Sequence, residues 1–302
     1  MGTSSLSGYS AYRYQRRRSV NPKNLTSIWG LGKRHAAALR SIGIYDCAAL
    51  VNADPSMLAA KLREHQLPIS IAQVQQWRSH AESYCTKRPV FFGEPPQIGD
   101  SFIALDLEYN STAPHIWLTG LLVVKGPKRR HLWFWADDHE QERASMLSLA
   151  KVLSYFPALP VLTWGGTSAD LPQLQSASAR HGTQDMFAVL SGRHVDLFQH
   201  ARTSMRLPVP ELSLGPFASY LRIPKSSPIR NGLEAQVQYE IYQGLSDPQR
   251  KTRRKAELIA YNYDDLLALT GVLKAMLGGL YAGPPKTAAV ASSGQLTVHA
   301  GS

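Results

Sequence analysis

Three short stretches of this 302-residue chain place acidic side chains where they could do chemistry. The first is Phe102-Ile103-Ala104-Leu105-Asp106-Leu107-Glu108. Alternate side chains of a strand share a face, so Ile103, Leu105 and Leu107 point one way while Asp106 and Glu108 point together the other way. Two carboxylates about 6–7 Å apart along a strand repel each other unless a cation lies between them. Magnesium takes hard oxygen ligands, commonly one or two carboxylates together with phosphate oxygens. A strand end carrying two solvated acids would have the same sequence, so this motif alone does not choose.

The second stretch is Leu162-Thr163-Trp164-Gly165-Gly166-Thr167-Ser168-Ala169-Asp170-Leu171-Pro172. An apolar strand enters a Gly-rich turn, and Asp170 falls where a helix should start. Asp is also a favoured helix cap with no chemistry attached. The third is Ala260-Tyr261-Asn262-Tyr263-Asp264-Asp265-Leu266. Leu266, Leu269, Leu273 and Leu277 recur at helical spacing. Tyr261 and Asp265, four apart, share one face of that helix. A phenol one turn from a carboxylate suits a ligand beside a group that positions an attacking water; a solvated polar face is the plain alternative.

Positioning these groups needs a particular order of elements. Strand-like runs at Phe102–Tyr109, Trp117–Val124 and His131–Ala136, separated by turn-forming or basic residues, read as an antiparallel meander. A helix over Glu140–Leu153, a strand over Pro160–Trp164, a helix over Leu171–His181 and a short strand over His194–Phe198 follow. Helices then occupy Leu214–Leu221, Gly232–Gln243 and Arg250–Leu277. Strands first, then strand alternating with helix, imply an α/β fold with a mixed sheet and helices packed on it. Trp133 and Trp135 share one strand face with Phe134 opposite, which suits core packing better than base stacking.

Composition narrows the class. Hydrophobic residues make up 44% of the chain and charged residues 18%, which describes a globular protein. No apolar run reaches membrane-spanning length, and the polar, then basic, start lacks a secretory signal's apolar stretch. Two cysteines, Cys47 and Cys85, are too few for a disulfide framework or a four-thiolate metal site. The reading is a reduced, cytoplasmic enzyme with no membrane attachment. Net charge is +11, and residues 1–98 carry 13 Lys and Arg against 5 Asp and Glu. A basic leader joined to a nearly neutral, carboxylate-bearing body fits a polyanion-gripping module on an enzyme. Further basic clusters are Lys128-Arg129-Arg130 and Arg250-Lys251-Thr252-Arg253-Arg254-Lys255; the latter, just before the Tyr261 turn, is a candidate for a substrate path or for plain solvated surface.

The domain reading follows these shifts: a disordered basic leader over 1–21, a small all-α domain over 22–87, a Pro- and Gly-rich linker over 88–100, the α/β domain over 101–281, and a disordered tail over 282–302. Within the all-α domain, helices are read over Lys33–Ser41 and Ser56–Glu64. In the segment Leu25-Thr26-Ser27-Ile28-Trp29-Gly30-Leu31-Gly32-Lys33-Arg34, Gly30 and Gly32 form a hairpin between two helical stretches. Glycines let the backbone turn tightly, and the helix that follows offers free N–H groups to an anion. Lys33 and Arg34 in its first turn are unfavourable for an isolated helix but useful beside a phosphate. Gly43 suits its C-terminal stop. The segment resembles a helix-hairpin-helix motif, which grips nucleic-acid backbone without reading sequence. A helical spacer or protein-contact domain is the plain alternative.

The order Asp-x-Glu on a first strand, Asp after a Gly-rich turn, and Tyr-x-x-x-Asp on a late helix resembles the DEDD exonuclease superfamily in its tyrosine variant. More narrowly, residues 100–278 look like the YprB-like ribonuclease H-like family. Supporting pieces are Thr163–Leu174, His194-Val195-Asp196-Leu197, Ser213-Leu214 through Tyr220-Leu221, and Gly232-Leu233-Glu234-Ala235-Gln236. The resemblance implies a ribonuclease H-like mixed sheet flanked by helices. It also implies two divalent ions, Mg²⁺ or Mn²⁺, bound by Asp106, Glu108, Asp170 and Asp265, with Tyr261 orienting the hydrolytic water. Asp196 reads as a buried acid supporting the ligands from a neighbouring strand. The implied activity is 3′–5′ exonucleolytic hydrolysis of DNA or RNA. Gly165 and Ala169 stand where the family usually has Asn and Phe. That departure keeps open a nucleic-acid-binding protein with impaired turnover; a structure-specific endonuclease on the same fold is a third reading.

Overall fold

A computed structural model of the chain describes residues 21–110 and 114–278. The readings of a disordered leader and tail therefore lie, but for Asn21, outside the described residues. The chain divides into two units, Met1–Arg88 and Pro89–Ser302.

The described part of the first unit holds a 3-10 turn (Leu25–Ser27) and helices α1 (Lys33–Ser41), α2 (Cys47–Asn52), α3 (Pro55–Glu64) and α4 (Ile71–Thr86). Asp46, Asp54 and Ser70 accept from the N–H groups of Ala49, Met57 and Gln73, capping α2, α3 and α4. Each such cap stabilises by about 1 kcal/mol. Helix α1 stops at Gly43, whose φ is +91°, with the Ile44 N–H donating back to the Leu39 carbonyl. Leu25, Leu39, Leu50, Leu58, Leu62 and Trp77 form the centre of the core. Sequence periodicity finds α1 and α3 but passes over α2 and α4. The inner face of α4 buries His80 and Ser83 among Val74, Trp77, Ala81 and Tyr84, which dilutes its apolar spacing.

In the second unit, β1 (Val90–Phe91) pairs antiparallel with β7 (Met205–Arg206). Strand β1 lies inside the stretch read as a linker. Five further strands, β2 (Ser101–Asn110), β3 (His115–Lys125), β4 (Lys128–Trp135), β5 (Val161–Thr163) and β6 (His194–Asp196), form a sheet of order β4-β3-β2-β5-β6. The first three strands are the expected antiparallel meander, while β5 and β6 run parallel to β2. Strand β4 begins three residues earlier than expected. Gly126, at φ +56°, and Pro127 make a tight turn, so Lys128-Arg129-Arg130 belongs to an edge strand rather than to a loop. Charges on an edge oppose pairing with another chain.

One sheet face sends Ile103, Leu105, Leu107, Leu121 and Val123 into a core with α5 (His139–Tyr155), α6 (Asp170–His181) and α7 (Gln184–Ser191). The other face packs Trp117 and Trp135 against α10 (Gly232–Gly244) and α11 (Pro248–Met276), with Trp117 stacked on Tyr239 at 4.4 Å. Phe134 packs into the first core and Trp133 against the second, as their alternation implies. Helices α8 (Leu197–Ser204) and α9 (Leu214–Tyr220) pack on α11. The strand expected through Phe198 ends at Asp196, because that carboxylate accepts from the Phe198 N–H and starts α8. Among the described residues no helix is long and apolar enough to cross a membrane.

Candidate metal centre

The alternation of β2 decides which way its acids point. With Ile103, Leu105 and Leu107 committed to the α5–α7 core, Asp106 and Glu108 face α11. Helix α11 brings Asp265 to them: carboxylate oxygens of Asp106, Glu108 and Asp265 all lie within 4.8 Å of one another. Asp170 is the first residue of α6, just past the parallel strand β5, and is 6% exposed. It stands outside that tight triplet, yet its charge raises the pKa of both Asp106 and Glu108. A cleft beside the carboxyl ends of parallel strands, where strand direction changes, is a common ligand position in α/β sheets.

Burial is the main cause pushing all four carboxyl groups upward, and their mutual repulsion adds to it in Asp106 and Glu108. Asp170 rises to about 7 through burial and then the charge of Asp196, with the backbone N–H groups of Asp170 and Leu107 opposing. Asp265 rises to about 6 through burial, opposed by the Tyr261 hydroxyl and the charge of Lys225. Among the described residues no Lys, Arg or His forms an ion pair with any of the four. Hard oxygens crowded and desolvated without a bound cationic side chain fit a magnesium- or manganese-type ion.

Tyr261, 6% exposed, bonds its hydroxyl to Asp265, and burial drives its own pKa upward. The i,i+4 pairing read from sequence is therefore a direct contact. Asp196 is buried and accepts from the N–H groups of Gly165, Thr167 and Phe198 at 2.8, 3.1 and 3.0 Å. It holds the turn leading to Asp170. Gly165 sits at φ +71°, a region that Gly and, less readily, Asn occupy. Gly30 is likewise at +78°, and Gly32 starts α1 with no side-chain cap, leaving first-turn N–H groups beside exposed Lys33 and Arg34.

Other contributors were not singled out from sequence. Asn262 Nδ2 donates to Asp106 Oδ2 at 2.7 Å and to the Asp106 carbonyl at 3.2 Å. Gly120 lies opposite Asp106 on β3, and a Cβ there would overlap the Asn262 carboxamide. A glycine inside an apolar strand signals such a close approach, so Leu118-Thr119-Gly120-Leu121 was the available clue. Asp264 turns away from Asp265 and accepts from Ser226 N, Ser226 Oγ and Ser227 N at 2.9, 2.9 and 2.8 Å. That fixes the segment carrying Lys225, whose Nζ lies 5.0 Å from the Tyr261 ring centre. The basic run at 250–255 is largely tied down: Lys251 lies over Tyr242, Lys255 over Trp135, and Arg253 and Arg254 pair with Glu257.

Gly120→Ala should displace Asn262 and cost about 1–3 kcal/mol of stability, as overpacking does. Thermal unfolding reads the loss, and Gly120→Ala combined with Asn262→Ala should recover part of it. Equal stability of Gly120→Ala and the parent chain would show that Asn262 does not depend on this gap.

A mixed sheet in the order seen here, flanked by helices and carrying acids on its central strand, at the start of the helix after β5 and on a late helix, defines a ribonuclease H-like α/β domain. The family described as the RNase_H superfamily matches residues 103–277, more than half of the chain. The chain belongs to the RNase H superfamily. Comparisons with curated proteins and with solved structures gave no match.

Proposed function

We propose that the chain is a metal-dependent nuclease hydrolysing phosphodiester bonds of DNA or RNA, a 3′–5′ exonuclease of the YprB-like, tyrosine-variant DEDD type. The observation that carries this reading is the gathering of Asp106, Glu108 and Asp265 within 4.8 Å from segments some 160 positions apart. Superfamily membership supports it.

In this reading Asp106, Glu108, Asp170 and Asp265 hold two divalent ions, Mg²⁺ or Mn²⁺. When bound, such a pair supplies positive charge at the phosphoryl oxygens and makes water a stronger nucleophile near neutral pH. The protein's own part is positional. Asn262 fixes the Asp106 carboxylate through its 2.7 Å bond. Tyr261, held by Asp265, orients the attacking water, and its phenol stays protonated at neutral pH and so able to donate. The apolar packing around β2 and α11 excludes bulk water and strengthens every charge interaction inside. Gly30, Gly32, Lys33 and Arg34, in a helix-hairpin-helix-like module, grip the phosphate backbone.

Purified chain with 5′-end-labelled single strands and Mn²⁺ or Mg²⁺ should produce a ladder shortened progressively from the 3′ end, and chelation should stop it. Internal cuts would instead mark an endonuclease. Binding without cleavage would mark a nucleic-acid-binding protein without turnover.

A further inference from the structure

A second cluster of ligand atoms lies around Glu142, away from the carboxylates facing α11. Glu142 is fully buried near the start of α5. Its two oxygens have different surroundings. Oε1 accepts from the Ile116 N–H at 2.8 Å and from Arg180 Nη2 at 2.9 Å. Oε2 is faced by His139 Nδ1 at 3.1 Å and by His181 Nε2 at 2.8 Å. These two nitrogens and Glu142's oxygen all lie within 4.8 Å of one another. Beside them, the His115 ring is centred 5.4 Å from that of His139. His115 makes a backbone hydrogen bond to Asp138, while its buried Nε2 has no partner.

We propose that His139, Glu142 and His181 form a binding site for a divalent transition ion of the zinc class, with His115 supplying an unpartnered nitrogen beside them. Three arguments meet here. Four-coordinate zinc with ligand distances of about 2.0–2.1 Å has ligand–ligand edges of about 3.3 Å. The observed 2.8 and 3.1 Å separations need to open by only a few tenths of an ångström. A metal-bound carboxylate usually has its other oxygen held by hydrogen bonds, and Ile116 and Arg180 do this for Oε1. Two imidazoles with one carboxylate form the ligand set of many open zinc sites, and nitrogen donors favour zinc, cobalt, nickel or copper over magnesium. The ion would join the start of α5 to the end of α6, next to the first residues of β3. It is distinct in ligand chemistry from the all-oxygen centre, so neither reading depends on the other.

The competing account is that the histidines only donate hydrogen bonds to a buried carboxylate. Zn²⁺ binding to the full chain, measured by calorimetry with excess Mg²⁺ present to fill oxygen sites, separates the two. The expected result is one bound equivalent, a thermal midpoint that rises with Zn²⁺, and visible absorption when Co²⁺ replaces it. His139 has a 69% exposed side chain, so His139→Ala and His139→Gln should fold normally, as circular dichroism would check. Both should lose the equivalent and the thermal shift. Wild-type chain that takes up no Zn²⁺, or His139 variants that bind it as wild type does, would overturn the proposal.

Discussion

On the proposed function, Asp106→Ala should lower metal-dependent cleavage by at least about 10³-fold, a transition-state loss of about 4 kcal/mol. Asp106 is the acid that the others surround: Glu108, Asp265 and Asp170 all act on its charge, and Asn262 orients it. In the proposed two-ion centre, removing it would take away a shared ligand and leave Glu108 and Asp265 with one carboxylate fewer to hold the ions. Substrate binding should stay largely intact, because Lys33 and Arg34 belong to a separate unit of the chain. The reverse pair of changes, Lys33→Glu with Arg34→Glu, should weaken binding of long strands. It should also lower the slope of log affinity against log salt by roughly one for every phosphate no longer neutralised. Gel-based cleavage and filter binding, run on the same preparations, separate the two effects. Cleavage that survives Asp106→Ala would place the active centre elsewhere.

Mg²⁺ or Mn²⁺ should raise the thermal midpoint far more at about pH 8 than at about pH 5. An acid whose folded pKa lies above its unfolded value of about 3.9 keeps in the folded chain a proton that the unfolded chain has released. Its contribution to stability is therefore intact below about pH 4 and falls as pH rises toward the folded pKa. Burial lifts Asp170 to about 7 and Asp265 to about 6, and burial with repulsion lifts Asp106 and Glu108 as well. The metal-free fold should accordingly lose several kcal/mol of stability across about pH 4 to 7, because each tenfold change in proton affinity is worth about 1.4 kcal/mol. Divalent ions compete with those protons, so their stabilising effect grows over the same window. A metal-induced rise of equal size at both pH values would contradict this linkage.

The parts of the site that sequence makes legible are those whose geometry is local. Alternation along β2 places Asp106 and Glu108 on one face whatever lies opposite, and Tyr261 meets Asp265 because one helical turn separates them. The same holds for the turn at Gly43 and for the two-sided packing of Trp133, Phe134 and Trp135. What stays hidden depends on partners distant in the chain. Asn262 matters only because α11 crosses β3 at a residue without a side chain, Gly120. Asp264 and Asp265 are indistinguishable as a dipeptide, and only the Ser226–Ser227 segment assigns one to a loop and leaves the other to the carboxylate cluster. The basic run at 250–255 reads as free surface charge until the aromatic rings of α10 and β4 come under it. Helix α4 escapes notice because polar residues occupy part of its inner face, where His80 Nδ1 accepts from the Trp29 N–H and Ser83 Oγ donates to the His80 carbonyl.

Anomalous diffraction from crystals soaked in Mn²⁺ tests the two-ion centre most directly. Two peaks about 3.5–4 Å apart, ringed by oxygens of Asp106, Glu108, Asp170 and Asp265, are expected. Manganese bound only at other positions, with those four carboxylates bare, would contradict it.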